Sequence, residues 1–304
     1  LLNHHHALLD GWSIPLLFKE VFAFYDAFTR DQDLTLPPAR PYSDYIAWLQ
    51  ARDLAAAEAF WRKELDGFVP ATSNPVQPSS SPPPGASRPA EQDKRLSPHT
   101  TTALQALARQ KHLTIGTLVQ GAWAILLSRY FQRDEVLFGV TVAGRPSELP
   151  GIVTMIGLFI NTLPLRVHIA PQSRLLEWLQ QIQDKAIEIQ QYDYSPLTQI
   201  QAWSGVPRSS SLFDTILVFE NYPTHTALSA QFDRLRIGNV RSIEQTTYPL
   251  TVAVTPGQQL NLKILYDPAR FEPAVIHRLL NHLCQVLESM VADPNQRLST
   301  LSLL

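Results

Sequence analysis

Two adjacent histidines near the start of the chain, His5 and His6, precede an Asp-Gly pair, Asp10 and Gly11, in the pattern H-H-x-x-x-D-G. An imidazole can accept or share a proton near neutral pH, which suits it to acid–base chemistry or to holding a nucleophile. A nearby buried carboxylate can orient such a ring, and glycine permits the tight turn that lets the two groups converge. The pattern therefore predicts a proton-handling site centred on His6, Asp10 and Gly11.

The flanking residues predict the elements that hold these groups. Leu1 to His6 is typical of the end of an apolar strand, and Ser13 is a favourable N-cap for a helix over 14–29. Because side chains alternate along a strand, His5 should point away from His6 and have a mainly structural role within the motif. His4 shares the strand face of His6 but lies outside the motif, which favours a packing role.

The motif resembles the catalytic motif of nonribosomal peptide synthetase condensation domains, which belong to the chloramphenicol-acetyltransferase-like superfamily. Five further segments resemble stretches of that family and occur in the family's order. They are Pro41–Trp48 (Y-x-D-Y-x-x-W), Gly144–Pro146 (G-R-P), Ile156–Arg166 (I-G-x-F-x-N-T-x-x-x-R), Tyr192–Leu197 (H-x-x-x-P-[FL], with Tyr192 or Gln191 where His or Asn is common) and Leu212–Tyr222 (L-F-D with F-E-N-Y).

The resemblance implies a chemistry and a fold. The fold would be α/β and two-lobed, with mixed sheets, packed helices and the reaction centre between the lobes. The reaction would transfer an acyl or peptidyl group from one carrier-bound thioester to the amine of another carrier-bound residue. His6 would act as general base or position the amine, Asp10 would hold geometry, and Gly11 would allow close approach of the substrate.

The resemblance also implies partners. Substrates would arrive on the 4'-phosphopantetheine arms of an upstream donor and a downstream acceptor peptidyl carrier protein, with an adenylation domain adjoining. No bound metal or redox cofactor is implied, because the thioester is already activated. A bacterial cytoplasmic assembly line would be the setting.

Further site residues follow from the other segments. Asn161 and Arg166 lie five apart on one predicted strand and so on opposite faces. By resemblance, Asn161 would bind a substrate carbonyl and Ser195 would line a tunnel turn on the acceptor side. Arg166 is expected to be structural, and Trp12, like Trp203, a core aromatic.

The start of the chain bears on Asp10. The family's motif aspartate pairs with an arginine from an N-terminal segment, whereas this chain opens without Met inside an apolar stretch. We therefore expect a fragment with an incomplete first lobe, in which Asp10 lacks its arginine.

Composition limits the function classes. The 304 residues are 45% hydrophobic and 17% charged, as in an ordinary globular protein. A net charge of -2 gives no reason to expect a nucleic acid or an anionic membrane as partner. The single cysteine, Cys284, excludes an internal disulfide, and no apolar run is long enough to span a bilayer.

Periodicity and turn residues predict a first lobe over 1–90, ending in a Pro/Ser-rich linker at 69–90, and a second lobe over 91–304. After the first helix, further helices are predicted at 42–50, 52–66, 98–110, 115–131, 175–190 and 273–291. Strands are predicted at 91–96, 135–143, 158–167, 212–220, 232–240, 250–255 and 260–266.

Several alternatives remain open. His4, His6 and Asp10 could form a metal cluster, although the family's aspartate makes an internal salt bridge instead. Epimerisation is disfavoured because the family's D-G-x-S-W-R continuation is absent, and heterocyclisation because that subtype carries D-x-x-x-x-D. Plant-type acyl-CoA transfer is disfavoured because its D-F-G-W-G string is missing. A catalytically silent binding platform of the same fold is the alternative from another class.

Overall fold

The computed structural model describes residues 2–70, 89–207, 209–222 and 246–301. The contacts divide the described residues into two compact units. The smaller unit holds residues 2–53, 143–161 and 220–222, and the larger unit holds the remainder.

The larger unit is built on a mixed sheet whose described strands number six, in the order β1-β6-β5-β4-β2-β3. These strands are β1 (Ala90–Arg95), β2 (Glu135–Val142), β3 (Asn161–His168), β4 (Thr215–Phe219), β5 (Leu250–Thr255) and β6 (Asn261–Tyr266). Strand β6 runs antiparallel to β1 and β5, whereas β4 runs parallel to β5 and β2. Asn161, the first residue of β3, is counted with the smaller unit.

Helices pack on this sheet and on each other. The helices of the larger unit are α3 (Leu54–Glu64), α4 (Pro98–Gln110), α5 (Ile115–Phe131), α6 (Leu175–Gln190), α7 (Leu197–Trp203) and α8 (Pro273–Ala292). Helix α5 contacts α4, α6, α8 and β2, and α8 also covers β1 and β6. Because α5 is apolar on most of its faces, it lies buried at the centre of this layer.

Helix starts in the larger unit follow the local sequence. The Ser97 hydroxyl accepts the Thr100 N–H at 3.0 Å, ahead of Pro98 at the first helical position of α4. The Thr114 hydroxyl accepts the Thr117 N–H at 2.9 Å at the start of α5. These two caps explain why the predicted bounds of both helices match the structure.

The smaller unit contains α1 (Ser13–Thr29), α2 (Ser43–Gln50) and a short 3-10 turn, Ile152–Thr154. Its core is a cluster of buried residues on α2 and on the 143–161 segment, comprising Tyr45, Ile152, Met155 and Phe159. Gly144 has a φ of +59°, and a Cβ there would lie 1.8 Å from the Phe159 carbonyl oxygen. Only glycine fits that turn of the G-R-P loop.

The structure confirms the mixed α/β class and differs from the predicted division at residue 90. Residues 54–70 join the larger unit because α3 packs there: the Trp61 indole N–H donates to the Ser195 hydroxyl at 3.0 Å. Residues 143–161 join the smaller unit through the Phe159 cluster. Most of the predicted linker, 71–88, and the predicted strand at 232–240 lie outside the described residues.

The predicted strand over the first six residues is wrong for the described positions. The Leu8 N–H donates to the His5 carbonyl at 3.0 Å, which makes a turn, and no described strand pairs with this segment. A strand requires a neighbour for its ladder, and without one the backbone adopts local hydrogen bonds.

The strand predicted at 158–167 begins only at Asn161. The Phe159 N–H donates to Asp10 Oδ2 at 3.1 Å, and the Leu158 carbonyl accepts from the Tyr42 hydroxyl. Side chains therefore take the backbone groups that a sheet neighbour would otherwise bond.

Candidate functional site

The Asp10 carboxylate lies at the centre of a buried polar cluster in the smaller unit. The residue is 1% exposed. Oδ1 accepts from the Ser13 N–H at 2.9 Å, from the Ser13 hydroxyl at 2.8 Å and from Arg145 Nη2 at 3.1 Å. Oδ2 accepts from the Phe159 N–H at 3.1 Å. Together these donors compensate the desolvation of the buried charge.

Arg145 corrects the expectation that Asp10 lacks an arginine. Its side chain is 8% exposed and comes from the G-R-P loop, 135 residues along the chain from Asp10. Gly144-Arg145-Pro146 resembles a loop of the family, but the resemblance implies that the arginine partner of the motif aspartate comes from an N-terminal segment. Nothing in the spacing of two residues so far apart reveals that they meet.

Further contacts hold the Arg145 guanidinium in place. Its Nη1 donates to the Ile152 carbonyl at 2.6 Å and to the Met155 carbonyl at 3.0 Å. Its Cζ lies 3.9 Å from the centroid of the Phe159 ring, a cation–π arrangement. The two terminal guanidinium nitrogens therefore join the Asp10 turn to the 152–159 segment. A lysine would offer only one nitrogen for these bonds.

Ser13 has a different role from the predicted helix cap. Helix α1 begins at Ser13 itself, and the Asp10 carboxylate accepts the Ser13 N–H. The Gly157 carbonyl oxygen lies 2.9 Å from Ser13 Oγ and shares the single hydroxyl proton with Asp10, while Ser13 Oγ accepts the Gly157 N–H at 3.1 Å. The predicted cap was wrong because the Ser13 hydroxyl is engaged by Asp10, Arg145 and Gly157, and Asp10 supplies the acceptor for the first N–H of α1.

Tyr42 closes one side of the cluster. Its ring packs edge-on against Phe159 at a centroid distance of 5.1 Å. Burial raises the pKa of the Tyr42 phenol, and the negative charge of Asp10 raises it further, whereas Arg145 acts in the opposite direction. A tyrosine hydroxyl is protonated at neutral pH, and the raised pKa keeps Tyr42 a donor to the Leu158 carbonyl into more alkaline solution.

The motif histidines lie outside this buried cluster. His4, His5 and His6 are all exposed, and the Ala7 N–H donates to His5 Nδ1 at 3.1 Å. His5 and His6 are not placed on opposite strand faces, because the segment is not a strand. The His6 imidazole is thus open to solvent, whereas the Asp10 carboxylate is buried.

Gly11 and Trp12 connect the buried aspartate to α1. Both are half-buried, so Trp12 is less enclosed than predicted for a core aromatic. The Trp12 ring contacts Tyr222 edge-on, with centroids 6.1 Å apart. Tyr222 belongs to the F-E-N-Y segment, which is recognisable by its resemblance to the family, although the resemblance assigned this residue no role.

The remaining predicted site residues have different surroundings. Asn161 is half-buried at the start of β3. In the larger unit, Arg166 Nε donates to Glu135 at 2.7 Å and its Nη1 to the Asp66 carbonyl at 2.8 Å, and its structural role stays a prediction. Ser195 is fully buried, and its hydroxyl accepts from Trp61, so its role in substrate binding stays a prediction. Trp203 is partly buried against the larger core.

Among the described residues, no group of three or more His, Cys, Asp or Glu side chains is arranged around a possible metal position. In particular, Asp10 is buried while His4 and His6 are exposed, and its oxygens are engaged by Ser13, Arg145 and Phe159. Within the same part of the chain, no helix is long and apolar enough to cross a bilayer.

Comparison with known proteins places this geometry in context. The chain matches, over residues 1–304, the family model described as Condensation domain. It is 46% identical over 301 residues to a linear gramicidin synthase of Brevibacillus parabrevis, covering 99% of this chain and 6% of that protein. It is 42% identical over 298 residues to a chondramide synthase of Chondromyces crocatus, covering 98% of this chain and 8% of that protein. The chain therefore spans only a small part of these relatives.

Solved structures share the fold. The X-domain from teicoplanin biosynthesis superposes with a TM-score of 0.85 at 22% identity, covering 99% of this chain and 70% of the other. The first condensation domain of the calcium-dependent antibiotic synthetase, in complex with a substrate analogue, superposes with a TM-score of 0.77 at 15% identity, covering 99% and 66%.

Proposed function

This chain belongs to the condensation-domain family, and we propose that it forms an amide bond between two carrier-bound substrates. The observation that carries the proposal is the intact H-H-x-x-x-D-G motif, in which Asp10 is buried and fully bonded while His6 is exposed. The exposed His6 imidazole is accessible to a substrate amine, as the proposed chemistry requires, and the bonded Asp10 holds the turn that follows it.

In the proposed reaction, the amine nitrogen of the acceptor residue attacks the carbonyl carbon of the donor thioester. A C–N bond forms, the C–S bond breaks, and the thiolate of the donor phosphopantetheine leaves with one proton. That proton comes from the attacking amine. His6 either accepts it and passes it on or holds the amine by a hydrogen bond, and the two roles predict different pH profiles.

The remaining residues have supporting roles in this proposal. Asp10 acts through the turn that it holds, because its oxygens are engaged by Ser13, Arg145 and Phe159. Asn161, half-buried at the start of β3, binds a substrate carbonyl. His5 shapes the turn through its bond from the Ala7 N–H.

The partners follow from the substrates. We propose an upstream donor carrier protein and a downstream acceptor carrier protein, each presenting a 4'-phosphopantetheine thioester, and an adjoining adenylation domain. The relatives named as synthases support an assembly-line setting. A cytoplasmic location is part of the proposal.

A silent binding platform is the second candidate. It is favoured by the structural likeness to the X-domain from teicoplanin biosynthesis, which has also been solved in a complex with OxyB. That likeness concerns the fold, whereas the complete motif in this chain favours catalysis.

The deciding experiment compares His6→Ala with His4→Ala in a polypeptide that contains this chain. The assay supplies carrier proteins loaded with a panel of aminoacyl-phosphopantetheine donors and acceptors and measures dipeptidyl product by mass spectrometry. We expect His6→Ala to lower kcat by about 10²–10⁴-fold, because it removes the proton-handling group. His4→Ala is the matched control, since His4 is also exposed but lies outside the motif.

Carrier binding, measured separately, should be unchanged in the His6→Ala protein. Undiminished product formation in this variant would overturn the proposed role of His6. Absence of product from the unmodified protein with every substrate pair would support the silent platform.

A further inference from the structure

The ring of Tyr222 occupies the space where a side chain at position 11 would lie. A Cβ built on Gly11 would stand 2.7 Å from Tyr222 Cζ, 2.8 Å from Cε1 and 2.9 Å from Cε2. These separations are well inside van der Waals contact between carbons, which is about 3.5–4.0 Å. Any side chain at position 11 must therefore displace the tyrosine ring.

The same ring contacts the next residue of the motif. Trp12 meets Tyr222 edge-on, with an interplanar angle of 82°. Edge-to-face pairs of this kind are attractive beyond the area that they bury. Tyr222 thus covers the backbone at Gly11 and supports the indole of Trp12.

The turn that Tyr222 covers is the one that links Asp10 to α1. The Ser13 N–H donates to the Asp10 carbonyl at 3.1 Å across this turn, and the Asp10 N–H donates to the Gly157 carbonyl at 3.1 Å. The polar cluster therefore holds the turn through Asp10, and the Tyr222 ring holds it through Gly11. The ring gives the turn a second, apolar support.

We propose that Tyr222 is a positioning residue for the catalytic motif, and that position 11 is glycine because the Tyr222 ring fills its side-chain space. This inference rests on the proposed condensation function. It differs from the expectation that Gly11 is needed to admit the substrate, because it names a residue of the chain as the occupant of that space.

A double-mutant cycle separates the two explanations. The variants are Gly11→Ala, Tyr222→Leu and the double variant, assayed with the same panel of aminoacyl carrier proteins. Leucine lacks the ring atoms that lie closest to Gly11, so it removes the obstruction. We expect Gly11→Ala to lower kcat by about tenfold or more in the unmodified background and by less than about threefold in the Tyr222→Leu background, with KM little changed.

Further variants and measurements control for misfolding. Gly116→Ala adds a methyl group where the nearest atom, Thr114 Oγ1, is 3.5 Å away, and it should leave kcat unchanged. Tyr222→Phe keeps the ring and should retain most of kcat, whereas Tyr222→Leu alone should lose several-fold. Urea denaturation of every variant shows whether a decrease in kcat results from a decrease in folding stability.

Equal losses on Gly11→Ala in both backgrounds would overturn the inference, because the methyl group would then obstruct the substrate rather than Tyr222. If the unmodified protein forms no amide, the condensation function fails. The steric relationship is then tested by measuring the free energy of unfolding of the same four proteins. Non-additive losses of stability would then support the steric relationship, and additive losses would overturn it.

Discussion

Asp10 and Arg145 form a buried ion pair in the smaller unit, with Arg145 Nη2 3.1 Å from Asp10 Oδ1. The Arg145 side chain is 8% exposed and the Asp10 side chain 0%. The pair joins the motif turn to the 143–161 segment, because the same guanidinium also bonds the Ile152 and Met155 carbonyls. Each charge is costly to bury and tolerable only beside the other, so the contribution of the pair to folding depends on both partners.

Arg145→Ala should destabilise the protein by about 3–5 kcal/mol, because it leaves the Asp10 carboxylate buried without its cation. Urea denaturation measures this loss. Arg62→Ala is the control, since Arg62 pairs with Glu58 at 2.7 Å on an exposed helix face and should give no measurable change. Equal midpoints for the two variants would show that the buried pair contributes nothing to folding.

Ser195→Ala tests whether this serine packs or binds substrate. The Ser195 hydroxyl accepts the Trp61 indole N–H at 3.0 Å, and both side chains are fully buried. Removing the acceptor leaves a buried donor unpaired and should cost about 1–3 kcal/mol of unfolding free energy, with KM for the acceptor carrier unchanged. The exposed Ser210→Ala variant serves as reference for the same chemical change.

A raised KM with unaltered stability in Ser195→Ala would contradict a packing role. That result would instead support the substrate contact that the family resemblance implies.

Cys284, the single cysteine of the chain, should be unreactive in the folded protein. Burial raises the pKa of its thiol from 9.0 to about 11, with Lys94 opposing the rise and Glu288 adding to it. A disulfide reagent at pH 8 should therefore label Cys284 slowly in buffer and rapidly in urea, since the thiolate is the reactive form. Rapid labelling under native conditions would show that α8 opens locally.

The same shift predicts a pH dependence of stability. In the folded protein the thiol keeps its proton to a higher pH than in the unfolded chain, so the unfolded state binds fewer protons in this window. Stability should therefore fall as pH rises from about 9 toward 11. Comparison with Cys284→Ala isolates this contribution, because lysines and tyrosines titrate in the same range in both proteins.

Much of the larger unit could be predicted because its signals are local. Helices α4 and α5 begin where Ser97 and Thr114 cap them, and a cap acts within three residues of itself. Ser13 shows the limit of such reasoning. Its type suits a cap, yet Asp10 provides the acceptor, and the serine hydroxyl bonds to Gly157 instead.

The sequence by itself determined the motif, the mixed α/β class and the family, since these depend on residue types and short spacings. Only the tertiary structure decided that Arg145 neutralises Asp10 and that Tyr222 covers Gly11. Such partners lie far apart along the chain, and periodicity records only neighbours within a turn or along a strand. A buried charge needs a counterion nearby, and the residue order does not show which distant residue the fold places beside it.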